Sequence, residues 1–380
     1  MELIAYRSGE AEERYEYRAF LPQPIHHPWT ISDPELLQLL GQADRALGEL
    51  NAFSQLIPDI DFFIRMHVAK EATQSSRIEG TQTNIEDAFK NADDLDPEER
   101  DDWGEVQNYI QAINHSIVRL TELPLSNRLL RETHAILMQG VRGEHKMPGE
   151  FRISQNWIGV SLKNAAFVPP HHDHVPDLMS DMELFLQDSA TVVPPLIKIA
   201  IAHYQFETIH PFLDGNGRLG RLMISLYLAS EGLLRQPALY LSDYFERNKT
   251  AYVDYLMAVR QGNHMREWLV FFLYGVEETA RASAGVFRAI LALKERVERE
   301  VLPRFSARRQ DNAHLLMRNL YARPIVDVKS VTMMTESSTN TAAALINDLV
   351  EHGVLVELTG QRRNRLFAFD EYISLFRRTS

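Results

Sequence analysis

The chain has 380 residues, 45% of them hydrophobic and 24% charged, a globular balance that excludes wholesale disorder and leaves length for two or three domains. With 40 Lys and Arg against 52 Asp and Glu the formal net charge is −12, which argues against bulk nucleic-acid binding by the whole chain but not against a local basic patch. Cysteine is absent, so disulfides, thiolate metal sites, iron–sulfur clusters and a cysteine nucleophile are excluded together.

In chain order, Met1 to Arg18 is charged where a leader peptide would be apolar, and no run of about 18 apolar residues follows, so a cytoplasmic protein without a membrane span is expected. The first 35 residues, with Pro22, Pro24 and Pro28, read as an extended arm. Asp33 or Ser32 can cap a helix starting at Pro34, and Leu36, Leu37, Leu40, Ala43 and Leu47 continue it at helical spacing. Further helices are expected over Phe62 to Arg77, Trp103 to Arg119 and Asn127 to Gln139, with the acidic run Asp93 to Asp102 a turn or a solvated face.

Between Pro148 and Pro170 the chemistry changes. Gly149, Gly159 and Pro169-Pro170 punctuate two β-prone pieces, Asn156-Trp157-Ile158 and Ala166-Phe167-Val168, which predict a hairpin. Helical patterns return at Val175 to Leu186 and from Pro195 onward, with Pro303 as a break. The stretch Ala280 to Arg304 mixes charges along its length and reads as a connector with a solvated face and a candidate dimer element.

The tail, 306–380, reads as a unit of its own. A helix over Ala313 to Ala322, a short one at Val331 to Thr335, another over Thr339 to His352 and a two-stranded ribbon turning at Gly360 to Arg363 follow the order of a winged helix. Residues 304–380 hold 11 Lys and Arg against 8 Asp and Glu, so DNA contact through Arg362, Arg363 and Arg365 is one reading and protein docking the other. The expected division is 1–100, 101–300 and 306–380.

The densest chemistry lies in His210-Pro211-Phe212-Leu213-Asp214-Gly215-Asn216-Gly217-Arg218-Leu219-Gly220-Arg221, between two helical patterns. Gly215 and Gly217 permit positive φ and close backbone approach. Amides at a helix start, with about half a positive charge, form an anion site. Arg218 and Arg221, three apart, share a helix face and suit phosphate oxygens. Asp214 is an oxygen ligand for Mg²⁺ beside phosphates, and His210 is a base that is largely neutral near pH 7. Taken singly, these residues are a turn, a helix cap and surface charges; within twelve residues they make a site for nucleotidyl or phosphoryl transfer to a hydroxyl. No GxxxxGK[ST] is present, which excludes a P-loop enzyme.

Residues 210–221 resemble the Fic family signature HxFx(D/E)GNGRxxR at every fixed position. The resemblance extends to a flap hairpin at Ser154 to Gly159 and Ala166 to Pro170, to the N-terminal region around Lys70 to Thr83, and to the winged-helix tail. It implies a mainly α fold: a Fic helical core, a β-hairpin flap, an N-terminal inhibitory helix and a C-terminal winged helix. It also implies protein AMPylation, the transfer of AMP from ATP to a Ser, Thr or Tyr hydroxyl of a protein target.

In the implied roles, His210 is the base, Asp214 holds Mg²⁺, and Gly215, Asn216, Gly217, Arg218 and Arg221 bind the phosphates while Phe212 anchors the loop. Asn156, Trp157, Ile158 and Phe167 of the flap position the target. Ser75, Glu79 and Gly80 match the family's inhibitory pattern (S/T)xxxE(G/N), which implies that Glu79 pairs with Arg221 and misplaces ATP. Family members often form homodimers. Tyr252 and Tyr255 either border the adenine or belong to the core. Two alternatives stay open: AMP removal with Glu79 orienting water, and a nucleotide-sensing DNA-binding regulator. The run His171-His172-Asp173-His174 lacks a second ligand cluster at metal-site spacing, and His203 with Glu207 lacks the HExxH of zinc proteases.

Overall fold

A computed structural model of the chain describes residues 1–56, 60–141, 145–190, 193–360 and 365–377. Among them the fold is mainly helical, as expected. The extended arm contains a hairpin that the sequence hides: β1 (Gly9–Glu13) pairs antiparallel with β2 (Arg18–Pro22). Four of the five β1 residues are Glu, Ala or Glu again, so no apolar alternation marks it. The Phe20 amide donates to the Val168 carbonyl, which ties this hairpin to the flap region.

Helix α1 (Pro34–Leu56) starts where Asp33 Oδ1 accepts the Leu36 amide at 2.8 Å, so Asp33 rather than Ser32 is the cap. Helix α2 (Ile60–Ile78) follows and ends just before Gly80, whose φ of +109° suits only glycine. Helix α3 (Arg100–Arg119) packs on α4 (Asn127–Leu137), which Ser126 caps. The short antiparallel pair β3 (Ile158–Gly159) and β4 (Ala165–Phe167) is the predicted hairpin.

The centre is α5 (Val175–Gln187), α6 (Pro195–Ile209) and α7 (Asn216–Ser230). Leu196, Ile199, Ala200, Phe206, Leu219, Leu222 and Leu226 are all fully buried. Two shorter helices, α8 (Ser242–Arg247) and α9 (Lys249–Gly262), lead into α10 (Met265–Arg296). The stretch Ala280 to Arg304 has the expected solvated face, at Arg281, Arg288, Glu295 and Arg299, but it also packs into the core. Ala280, Ala284, Phe287, Ile290 and Leu293 recur at helical spacing and are buried, and α10 lies along α1. Its charges occupy only the opposite face.

The tail holds α11 (Ala307–Ala322), β5 (Ile325–Val326), α12 (Val328–Met334), α13 (Thr339–Glu351), β6 (Val356–Glu357), β7 (Phe367–Ala368) and α14 (Asp370–Arg377). The three strands form one antiparallel sheet in the order β5-β7-β6, so a third strand joins the expected ribbon. A capping box between Asp327 and Ser330 starts α12 three residues earlier than its apolar pattern suggests. The tail packs on α2: the Phe63 ring lies 5.0 Å from Tyr321, and the His67 ring 5.0 Å from Phe376. Arg362 and Arg363 lie outside the described residues. Arg365 is ion-paired with Glu357 and sits over the Phe367 ring. Among the described residues no helix is long and apolar enough to cross a membrane.

Candidate active site

The loop 210–215 joins α6 to α7. His210 closes α6 in the left-handed conformation (φ 50°, ψ 61°), and Gly215 opens α7 with φ 73°. Phe212 is fully buried and stacks on His134, with ring centroids 3.9 Å apart and planes at 13°. The Asn216 side chain is consumed inside the loop: Oδ1 accepts the Phe212 amide at 2.9 Å and Nδ2 donates to the Phe212 carbonyl at 2.8 Å. It therefore shapes the amide cradle rather than lining it.

His134 fixes the other side. Its Nδ1 accepts the Gly149 amide at 2.8 Å, so the proton sits on Nε2, which donates to the Asp214 carbonyl at 2.9 Å. The Asp214 carboxylate accepts the Gly215 amide at 2.7 Å and meets Lys146 Nζ at 2.8 Å. Burial raises its pKa, but Lys146 and the Gly215 amide outweigh that and hold the carboxyl below its usual range. One ionised carboxylate, 32% exposed, is a hard oxygen donor that suits Mg²⁺, which keeps waters and phosphate oxygens as its other ligands, although Lys146 now holds one of its oxygens.

The two motif arginines are buried, and each has an acidic partner from upstream: Glu105 on α3 for Arg218, and Glu79 in the turn after α2 for Arg221. Arg218 Nη1 donates to Glu105 Oε2 of α3 at 3.0 Å. Arg221 Nε donates to Ser75 Oγ at 2.9 Å, and its Nη2 donates to the Ser75 carbonyl at 2.9 Å and to Glu79 Oε1 at 2.8 Å. A Cβ added at Gly217 would collide with Glu79 Oε1 and come within 2.9 Å of Arg221 Nη1. The Glu79 carboxylate thus lies directly over the glycine of the cradle. Burial raises the Glu79 pKa, yet the Arg221 charge and hydrogen bond prevail and keep it low. The pair is asymmetric: the Arg221 side chain is 2% exposed and the Glu79 side chain 43%.

Burial, with the charges of Arg260 and Arg152, pushes the His210 pKa down to about 4, so its imidazole is neutral at pH 7. Its buried Nδ1 has no well-formed hydrogen bond among the described residues, and the Glu207 backbone lies beside it. Close by, Glu207 is 7% exposed, and burial raises its carboxyl pKa to about 7. Among the described residues its Oε1 has no hydrogen-bond partner, and it fills the place that a Cβ on Gly220 would take.

The remaining sequence candidates divide. Asn156 turns inward, and its Nδ2 donates to the His210 and Phe212 carbonyls. Phe167 is buried under the Arg260 guanidinium, 3.9 Å away. Trp157 and Ile158 are exposed, at 42% and 36%. Tyr252 is 4% exposed, its ring stacked 4.5 Å from Phe245 and its hydroxyl 2.8 Å from His203 Nε2. No face is left for a base, so the core reading describes Tyr252. Tyr255, half-buried, packs beside Phe271. The ligating atoms of His171, His172 and Asp173 do lie within 4.8 Å of one another.

Arg152, Glu105 and His134 escape a sequence reading, and Glu207 is met there only beside His203. Each is a lone polar residue on a helix or loop, and its partner lies elsewhere in the chain. Arg152 follows Gly149 closely, but nothing in the spacing marks it.

The helical core thus brings together a left-handed histidine, the glycines of a helix start and two buried arginines. Residues 37–118 match the Fic/DOC family N-terminal region and residues 124–228 the Fic/DOC family domain. Both segments are Fic/DOC family sequence, and together they make up just under half of the chain. It is similar to the protein adenylyltransferase Fic of Aedes aegypti, 33% identical over 132 residues, which is 34% of this chain and 24% of that protein. It is also similar to protein adenylyltransferase fic-1 of Caenorhabditis elegans, 34% identical over 85 residues, 22% of this chain and 16% of that one. The match thus spans a quarter or less of these relatives. In fold, it resembles a Fic family protein from Desulfovibrio desulfuricans, with a TM-score of 0.56 and 19% identity over 90% of this chain and 98% of the other. A Fic domain signaling protein from Bacteroides thetaiotaomicron matches with a TM-score of 0.52 and 17% identity over 65% and 96%.

Proposed function

We propose that the chain is a protein adenylyltransferase that moves AMP from ATP to a Ser, Thr or Tyr hydroxyl of a protein target, and that Glu79 restrains it. The observation that carries this reading is the Glu79 carboxylate lying over Gly217 while bonded to Arg221. An anion already occupies the place where the amides and the guanidinium would receive phosphate. The names of the relatives supply the nucleotide, adenylate.

In this reaction the target hydroxyl attacks the α-phosphorus. The new oxygen–phosphorus bond forms as the bond to the β-phosphate bridging oxygen breaks, and pyrophosphate leaves. His210, neutral because of its burial, accepts the hydroxyl proton. The amides at Gly215 to Gly217 and the guanidinium of Arg218 hold the phosphate chain, and Arg221 takes its end once Glu79 has let go. Asp214 would hold Mg²⁺, which offsets phosphate charge when bound. The exposed Trp157 and Ile158 of the flap receive the target, and the exposed edge of the short hairpin pairs with its backbone. The helix and strand order after 306 supports a winged helix as a docking unit.

A second reading draws on the exposure of Glu79. A charged carboxylate open to water beside the cradle can orient a water molecule to remove AMP from a modified target. The test of both is label from α-³²P-ATP and from γ-³²P-ATP, incubated with target lysate and the Glu79→Gly variant. Transfer predicts protein labelling from the first nucleotide alone. Labelling from γ-³²P-ATP alone indicates phosphoryl transfer instead. Loss of pre-bound label with wild type, but not with Glu79→Gly, indicates removal.

A further inference from the structure

His210 is one of few non-glycine residues with positive φ, and the conformation is sterically costly for a residue with a side chain. Such a residue persists only where its surroundings fix it. Two side chains from the base of the flap do so here, by converging on its carbonyl. Arg152 Nε donates to it at 3.0 Å and Asn156 Nδ2 at 3.1 Å.

Arg152 is 2% exposed, and among the described residues no carboxylate forms an ion pair with it. Its guanidinium is instead spent on carbonyls: Ile209 at 3.3 Å, Ser154 at 3.2 Å and Pro170, besides His210. Its amide donates to the Pro211 carbonyl at 2.9 Å. Ser154 and Pro170 stand at the two ends of the flap. One buried cation therefore fastens both flap ends to the backbone on either side of His210. Asn156, 8% exposed, adds a second bridge by donating to the Phe212 carbonyl at 2.9 Å.

We propose that Arg152 and Asn156 are positioning residues for His210. They hold its peptide in the left-handed conformation and so make the placement of the imidazole depend on the flap base. This rests on the reading of His210 as the proton acceptor. It also gives Asn156 a task other than meeting the target.

The test uses full-length protein with Glu79→Gly as the parent, adding Asn156→Ala or Arg152→Lys. Three quantities are read: kcat for AMP transfer, ATP affinity by calorimetry, and the ¹³Cα and ¹³Cβ shifts of labelled histidine, with His210 assigned by its loss in His210→Ala. We expect kcat to fall roughly ten- to a hundredfold, as small misplacement of a reacting group does, while ATP affinity stays within about twofold. The His210 shifts are expected to leave the left-handed range. Unchanged shifts in Asn156→Ala overturn the proposal whatever happens to kcat. So do shifts that move without loss of kcat, and so does ATP affinity falling in step with kcat. Should Arg152→Lys not fold, Asn156→Ala carries the test alone, since it removes one neutral amide. If the parent transfers no AMP, the proposed function fails, and the shifts still decide the positioning claim.

Discussion

Glu79 Oε1 and Arg221 Nη2 lie 2.8 Å apart, and the two ends of this pair see different solvent: 43% of the Glu79 side chain is exposed and 2% of Arg221. A fully buried pair broken on one side costs about 3–5 kcal/mol, and an exposed one about 0–1. This pair lies between, at roughly 1–3 kcal/mol, so the restraint is about ten- to a hundredfold in rate. Ser75 keeps hold of Arg221 through Nε and Nη2 even without Glu79, so the guanidinium does not collapse when the glutamate is removed.

The His210 imidazole titrates near 4, because burial and the charges of Arg260 and Arg152 disfavour its protonated form. It loses its ability to accept a proton only as pH falls through that value. AMP transfer by Glu79→Gly should therefore stay within about twofold between pH 7.5 and 5.5. A half-loss near pH 6.5, where an ordinary histidine titrates, contradicts the assignment.

Glu207 makes the opposite kind of contribution. Its folded pKa is about 7 against an ordinary 4.5, so the folded state binds its proton more tightly than the unfolded state. The stability this supplies is present in full below about pH 4.5 and fades as pH rises through 7. Glu207→Gln should raise the melting temperature at pH 8 and change it little at pH 5, with a difference of at most roughly 2–3 kcal/mol between the two. Equal effects at both pH values, measured by calorimetry, exclude a buried carboxylate that ionises at a cost.

Arg218 and Glu105 form the truly enclosed pair, with side chains 4% and 6% exposed and 3.0 Å between them. Glu105→Ala leaves the buried guanidinium with Asp214, 3.9 Å away, as its remaining ion-pair partner among the described residues, and should destabilise the fold by roughly 2–3 kcal/mol. Denaturant unfolding checks this. A change below about 0.5 kcal/mol places the pair in effect at the surface.

The part of the site that could be read in the sequence is its contiguous part. Residues 210–221 are neighbours in the chain, and a loop between two helices brings them together by local geometry alone. Ser75 and Glu79 were legible for the same reason, being one helical turn apart. What stayed hidden depends on contacts between distant segments. Glu105 meets Arg218, and Arg152 meets His210, only because α3 and the flap base pack beside the motif loop. The β1–β2 hairpin stayed hidden because β1 carries glutamates on both faces and β2 is a continuous Ala19-Phe20-Leu21 run, so no period of two marks either strand. In α10 the charges on one face masked the stripe of Ala280, Ala284, Phe287 and Ile290 on the other. Tyr252 shows the limit of composition: an aromatic near a site is as often core as contact, and here His203 and Phe245 claim it.

In the proposed reaction His210 is the base for AMP transfer to the target hydroxyl, and Glu79 restrains that transfer. The most direct measurement is incorporation of label from α-³²P-ATP with Mg²⁺, comparing wild type, Glu79→Gly and Glu79→Gly/His210→Ala. The account predicts weak labelling by wild type, about ten- to a hundredfold more by Glu79→Gly, and none by the double variant. Equal labelling by wild type and Glu79→Gly, or labelling that survives the loss of His210, contradicts it.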